Sequence, residues 1–285
     1  MRATAQDLAE LPRVEPHIGF VGAVHRRFHD HRRRAVSRAC RSGVNHAAHI
    51  FGKAGHIEGA VLHADIDVIG PGRGVHGVLL CQAESADAVR AFVESCRYPH
   101  NTLGVDPAVP SPIARMAGAM RAEDGATDSD GRKLLNIGTR GRGSESTAAP
   151  IWGLSTEDYM ERCDPWPLNP NGELLLGVKL ESPEGVANCE EIIAVPGLGF
   201  AEIGPGDLSL ALGYRTIPRE PYPAEMQAAR DRILAACRNN RVAFLQTCTS
   251  DNVTVRIDEG VRVIAGHSET TAIKGRAHQK RKLPV

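Results

Sequence analysis

The chain has 285 residues, room for one large α/β domain or two smaller ones. Its 34 basic residues balance 34 acidic ones, which excludes a global attraction to nucleic acid or to an anionic membrane surface. No apolar run approaches the roughly 20 residues that span a bilayer, and the first residues lack the apolar stretch of a secretory signal. Nine of the 12 histidines fall within the first 76 positions, and Arg26 to Arg41 is densely basic. Hydrophobic periodicity is poor throughout this segment. It reads as a divergent, Arg/His-rich piece, poorly ordered or unlike the rest. A nucleic-acid contact through its basic arm is the weaker reading.

From Val75 the punctuation becomes regular. Val75 to Leu80 is expected as a strand, Ser85 as a helix cap and Ala86 to Tyr98 as an amphipathic helix that Pro99 stops. Asn101 to Pro150 is rich in Gly, Pro, Ser, Asp and Arg and reads as a long excursion. It ends in what looks like a flexible basic loop, Gly138 to Gly143, where Arg140 and Arg142 are expected to be solvated. Ser155 to Arg162 is a short helix, followed by a proline-rich segment. Pro223 to Asn239, Asn252 to Glu259 and Ser268 to Ala277 are helices; Val242 to Gln246 and Val261 to Ala265 are strands. Seven cysteines without CxxC spacing argue for reduced thiols in a cytoplasm, with Cys189 and Cys237 as small core fillers.

Between these lies the most informative stretch, Leu174 to Tyr214. It reads as two consecutive strand–loop–helix units. Leu174 to Leu180 is an apolar strand ending at Glu181, with a helix carrying Val186, Ile192, Ile193 and Val195 behind it. Gly199 to Ile203 is the next strand, Gly204-Pro205-Gly206 a tight loop, and Asp207 opens a helix. Repeated units of this length demand parallel strands, whose C-terminal ends carry the chemistry of a barrel. Glu181 and Asp207 should then share one rim on neighbouring strands, where paired carboxylates suit a hard divalent cation. Five strands in βα order predict an α/β fold, a (β/α)8 TIM barrel, incomplete or irregular over its first three strands. The domain reading is 1–74 for the divergent segment and 75–285 for the barrel region.

Several of these motifs together resemble the HpcH/HpaI aldolase family of the phosphoenolpyruvate/pyruvate-binding TIM-barrel superfamily, from about residue 74 onward. They are His76-Gly77-Val78-Leu79-Leu80 with Glu84, Arg97-Tyr98-Pro99, and Gly138-Thr139-Arg140-Gly141. Val178-Lys179-Leu180-Glu181, Val195-Pro196-Gly197 and Gly204-Pro205-Gly206-Asp207-Leu208-Ser209 with Leu212-Gly213 complete the set. The resemblance implies a metal-dependent aldolase or lyase acting on 2-oxo-4-hydroxy acids, joining or releasing pyruvate or hydroxypyruvate and an aldehyde. It implies Glu181 and Asp207 as ligands of Mg²⁺, Mn²⁺ or Co²⁺, and a homo-oligomer. Backbone N–H groups of Gly206 and Asp207 are suited to the substrate carboxylate. Lys179 reads as an ion-pairing rim residue within reach of substrate rather than a Schiff-base lysine, and His267 as an ordinary loop histidine.

The family's early strands bring an Asp/Glu-His pair and an arginine in a Val-Arg-Val-Pro-like strand. Neither is found in residues 1–74, so no catalytic base is assigned. Two alternatives follow: a lyase of the citrate lyase/malyl-CoA type, or a catalytically impaired relative that retains the metal site.

Overall fold

Helices inserted between successive strands force those strands to run parallel, and that arrangement is what the chain adopts. The computed structural model describes residues 74–117, 126–129, 131–265 and 268–279. The reading of residues 1–74 therefore falls, Gly74 apart, outside the described residues, as does that of His267. Five strands form one sheet: β1 (Gly77–Leu80), β2 (Leu175–Leu180), β3 (Leu198–Ile203), β4 (Ala243–Thr247) and β5 (Val261–Ala265). Their order is β1-β2-β3-β4-β5, every neighbouring pair parallel. This unbroken sequential order is that of a (β/α) barrel; a doubly wound sheet would reverse at a switch point. The predicted strands are all present, shifted by a residue or two.

Side chains alternate across a strand, so each residue row belongs to one face. One row runs Leu80, Val178, Ala201, Phe244 and Val261 by register, and each is at most 1% exposed. It joins a single apolar core with helix residues Val89, Phe92, Val93, Ile192, Ile233 and Cys237. These lie on α1 (Ala86–Ser95), α6 (Cys189–Ile193) and α8 (Ala224–Asn240). The opposite face carries Lys179, Glu202, Leu245 and Val263, again partners by register. That face is where a charged residue in the strand must be explained.

The other helices are α2 (Pro112–Met116), α3 (Glu145–Trp152), α4 (Thr156–Arg162), α5 (Pro183–Ala187), α7 (Pro205–Ala211), α9 (Val253–Asp258) and α10 (Glu269–His278). Ser85 caps α1 as expected, its hydroxyl accepting from the Ala88 N–H. The single helix expected after Glu181 is instead two, α5 and α6, broken at Asn188. The Asn188 side chain donates to the Glu84 carbonyl at 2.8 Å, which ties this break to the β1–α1 loop. Gly185 allows the same approach, since a Cβ there would stand 2.6 Å from the Ala83 carbonyl oxygen. Cys189 and Cys237 are buried, and the six described cysteines are free thiols.

The expected flexible loop at Gly138 to Gly143 is corrected. Thr139 and Arg140 donate their N–H groups to the Glu94 and Arg97 carbonyls at the end of α1. Gly138 passes so close that a Cβ would be 2.3 Å from the Arg97 carbonyl oxygen. Arg140 is 3% exposed, its guanidinium donating to the Tyr159 hydroxyl at 2.9 Å and lying 4.3 Å from the Tyr98 ring centroid. Aromatic faces and a phenol take the place of the expected solvent. Arg142 is exposed, as predicted.

Candidate active site at the strand ends

The loops that follow β1, β2 and β3 meet above the sheet, and Glu181 lies among them. It is the first residue past β2 and is 2% exposed. Its Oε1 accepts the Gln82 N–H at 3.0 Å; Gln82, just beyond β1, has φ 53, a left-handed conformation. Oε2 is buried and accepts no hydrogen bond. The Lys179 Nζ lies 3.8 Å from that oxygen. From the β3 side Gly204 presses against it, and a Cβ on Gly204 would stand 2.2 Å from Oε2. Gly204 has φ −92, so glycine is required here by space alone.

Burial pushes the Glu181 carboxyl up to about 7, against the pull of Lys179 and the Gln82 N–H. Asp207 raises it further, by its charge and as hydrogen-bond partner of the protonated form. The two predicted carboxyl-bearing residues follow neighbouring parallel strands, Glu181 directly after β2 and Asp207 in the loop and helix after β3. Asp207 is the third residue of α7, which opens at Pro205 with Gly204 as its cap, and it is exposed. Gly206 is half-buried, with only the Ile217 Cδ1 near the place a Cβ would occupy, at 3.5 Å.

Lys179 pairs more closely with Glu202, at 3.3 Å, than with Glu181. Ion pairing on the rim is therefore what this lysine does. Glu202 and Cys81 are the members that the sequence reading missed. The Cys81 thiol is pushed up to about 11 by burial, then by Glu181, with Glu202 and Asp207 adding to it and Lys179 opposing. All four charged groups therefore act on one small volume. The available signal was alternation: Glu202 interrupts the apolar strand LGFAEI at the position register-paired with Lys179. Among the described residues no three His, Cys, Asp or Glu side chains converge as a ready-made metal cage.

The residues nevertheless fit a hard divalent cation. A buried carboxylate oxygen that accepts no hydrogen bond, with a second carboxylate following the neighbouring strand, is the donor set such an ion takes. Three carboxylates against one ammonium leave a local charge that a divalent cation offsets.

A parallel sheet in barrel order, with acidic residues at its C-terminal rim, defines a (β/α)-barrel protein of the kind that gathers its chemistry there. The chain belongs to the HpcH/HpaI aldolase/citrate lyase family, whose pattern matches residues 34–272. That match begins well before residue 74, so the likeness reaches into the segment that the sequence reading had placed outside it. A hydroxypyruvate/pyruvate aldolase of Pseudomonas aeruginosa is 39% identical over 92 residues, 32% of this chain and 30% of that protein. A 4-hydroxy-2-oxo-heptane-1,7-dioate aldolase of Escherichia coli is 31% identical over 103 residues, 36% of this chain and 35% of that protein. The matches thus span about a third of the length of these relatives. Among solved structures, an HpcH/HpaI aldolase/citrate lyase family protein from Burkholderia cenocepacia aligns with a TM-score of 0.48 and 21% identity, covering 78% of this chain and 68% of that one.

Proposed function

We propose that this chain is a divalent-metal-dependent aldolase or lyase that makes or breaks a carbon–carbon bond in 2-oxo-4-hydroxy acids. The observation that carries this is the buried Oε2 of Glu181, which accepts no hydrogen bond, with Asp207 acting on the same carboxyl. Glu181 and Asp207 hold the cation, and carboxylate donors favour Mg²⁺, Mn²⁺ or Co²⁺. Two protein ligands leave positions for water and for a chelating 2-oxo acid. When bound, the ion supplies Lewis-acid polarisation of the 2-oxo group. The open side of Gly206 lets a substrate carboxylate approach the N–H groups of Gly206 and Asp207 in the first turn of α7. The Lys179 ammonium, partly exposed between Glu202 and Glu181, is placed to meet a second substrate oxygen. The hydroxypyruvate/pyruvate and 4-hydroxy-2-oxo acid aldolases among the relatives support this substrate class. Leu210, Leu212 and Ile217 are exposed apolar residues on and after α7, which suits assembly as a homo-oligomer.

A retro-aldol assay on 4-hydroxy-2-oxo acids with added Mn²⁺ or Co²⁺ tests the proposal. Glu181→Ala and Asp207→Ala should each lose at least about a hundredfold in rate, the loss expected when electrostatic stabilisation of an enolate is removed. Equal turnover in all three proteins removes the metal assignment.

A further inference from the structure

Two carboxylates compete for one ammonium beneath the candidate metal position. Lys179 and Glu202 are register partners on adjacent parallel strands, so their side chains leave the sheet on the same face. Both are substantially buried, at 28% and 15% side-chain exposure, which strengthens their attraction over that of a surface pair. The ammonium stands 3.3 Å from Glu202 Oε1 and 3.8 Å from the free oxygen of Glu181. It lies within ion-pair range of Glu181, yet it sits nearer to Glu202.

We infer that Glu202 is a positioning residue of this site: it holds the Lys179 ammonium on the β3 side and so keeps the free oxygen of Glu181 open to a divalent cation. The inference rests on the reading of Glu181 and Asp207 as the cation's ligands. Without the Glu202 charge, Glu181 is the remaining carboxylate in contact with the ammonium. Lys179 then closes on Oε2 and competes with the metal for it. The pair works as a holding arrangement, with a fixed place for the lysine that is not the metal's place. It also keeps the ammonium facing the volume where substrate oxygens would arrive.

The test is Mn²⁺ binding by the full chain, followed by the paramagnetic resonance signal of free Mn²⁺, with no turnover required. Glu202→Gln should weaken binding by roughly tenfold or more, since a competing charge at contact distance in a half-buried site is worth at least that factor. Lys179→Met should bind more tightly than the wild type. The double variant Lys179→Met/Glu202→Gln should match Lys179→Met, because with no ammonium to hold Glu202 has no task. If Glu202 instead merely adds negative charge near the ion, its loss weakens binding by the same factor in both backgrounds. That additive result overturns the inference while leaving the metal ligands in place. Failure of the wild type to bind Mn²⁺ removes the ligand reading and this inference with it. Should Glu202→Gln fail to fold, Glu202→Asp carries the same cycle, its shorter reach releasing the ammonium towards Glu181.

Discussion

A carboxylate pushed up by burial has a definite signature in stability. Glu181 titrates in the folded chain at about 7, against 4.5 when unperturbed. Between those values the folded state holds a proton that the unfolded state has lost. The contribution of Glu181 to metal-free stability therefore falls as pH rises from about 4.5 to about 7, by up to about 3 kcal/mol. His76 works in the opposite sense. Burial lowers its pKa to about 4, so its contribution is lost as pH falls below about 6.5. Replacing Glu181 by Gln should remove the first effect and leave the second. In chelator, urea unfolding of Glu181→Gln should show stability rising more steeply between pH 4.5 and 7 than the wild type, and greater stability at pH 8. Identical pH slopes in the two proteins would contradict the burial argument. Mn²⁺ should reverse the order at pH 8, since only the wild type presents the carboxylate that the ion needs.

At the scale of elements, the site is a meeting of three loops rather than a property of one strand. The β1 loop supplies the Gln82 N–H, the end of β2 supplies Glu181, and the β3 loop supplies Gly204 and Asp207. Gly204→Ala is therefore informative. The added methyl falls 2.2 Å from Glu181 Oε2 and 2.6 Å from Glu181 Cβ, and backbone φ does not forbid it. The carboxyl must move, and Mn²⁺ affinity should drop by roughly a hundredfold or more, as when an aligned ligand is displaced. Circular dichroism should remain that of the wild type. Retained affinity would mean that Oε2 is not the donor. Much of this arrangement was legible in the sequence. The βα rhythm fixed the parallel order, and the tandem acidic strand ends placed Glu181 and Asp207 on one rim. Glu202 showed only as a charge interrupting an apolar strand and Cys81 not at all, because their roles depend on register between strands, which spacing along one strand does not encode. The split at Asn188 was hidden for a similar reason: its side-chain partner, the Glu84 carbonyl, lies more than a hundred residues away in sequence.

At the scale of the whole molecule, the two ends of the long excursion before β2 are held together by buried charge. The sequence marked Arg97 as part of the Arg97-Tyr98-Pro99 motif at a helix end, and it is completely buried and reaches Asp164, also completely buried, at 2.7 and 3.0 Å. A further bond to the Leu103 carbonyl and one from Asn169 to Asp164 close the network. It joins the end of α1 to the proline-rich segment leading into β2, across 67 residues of chain. Charges taken this far from water are tolerable only while paired, so removing one partner leaves the other buried and alone. Arg97→Ala should cost about 3–5 kcal/mol, a large share of the roughly 5–15 kcal/mol that holds a typical domain folded. The double variant Arg97→Met/Asp164→Leu fills the same volume with apolar atoms and should recover most of that loss. Chemical unfolding of the wild type and these two variants measures it directly. A double variant no more stable than Arg97→Ala would show that the network's worth lies in the hydrogen bonds that Arg97 and Asp164 also make, to the Leu103 carbonyl and from Asn169, rather than in the ion pair.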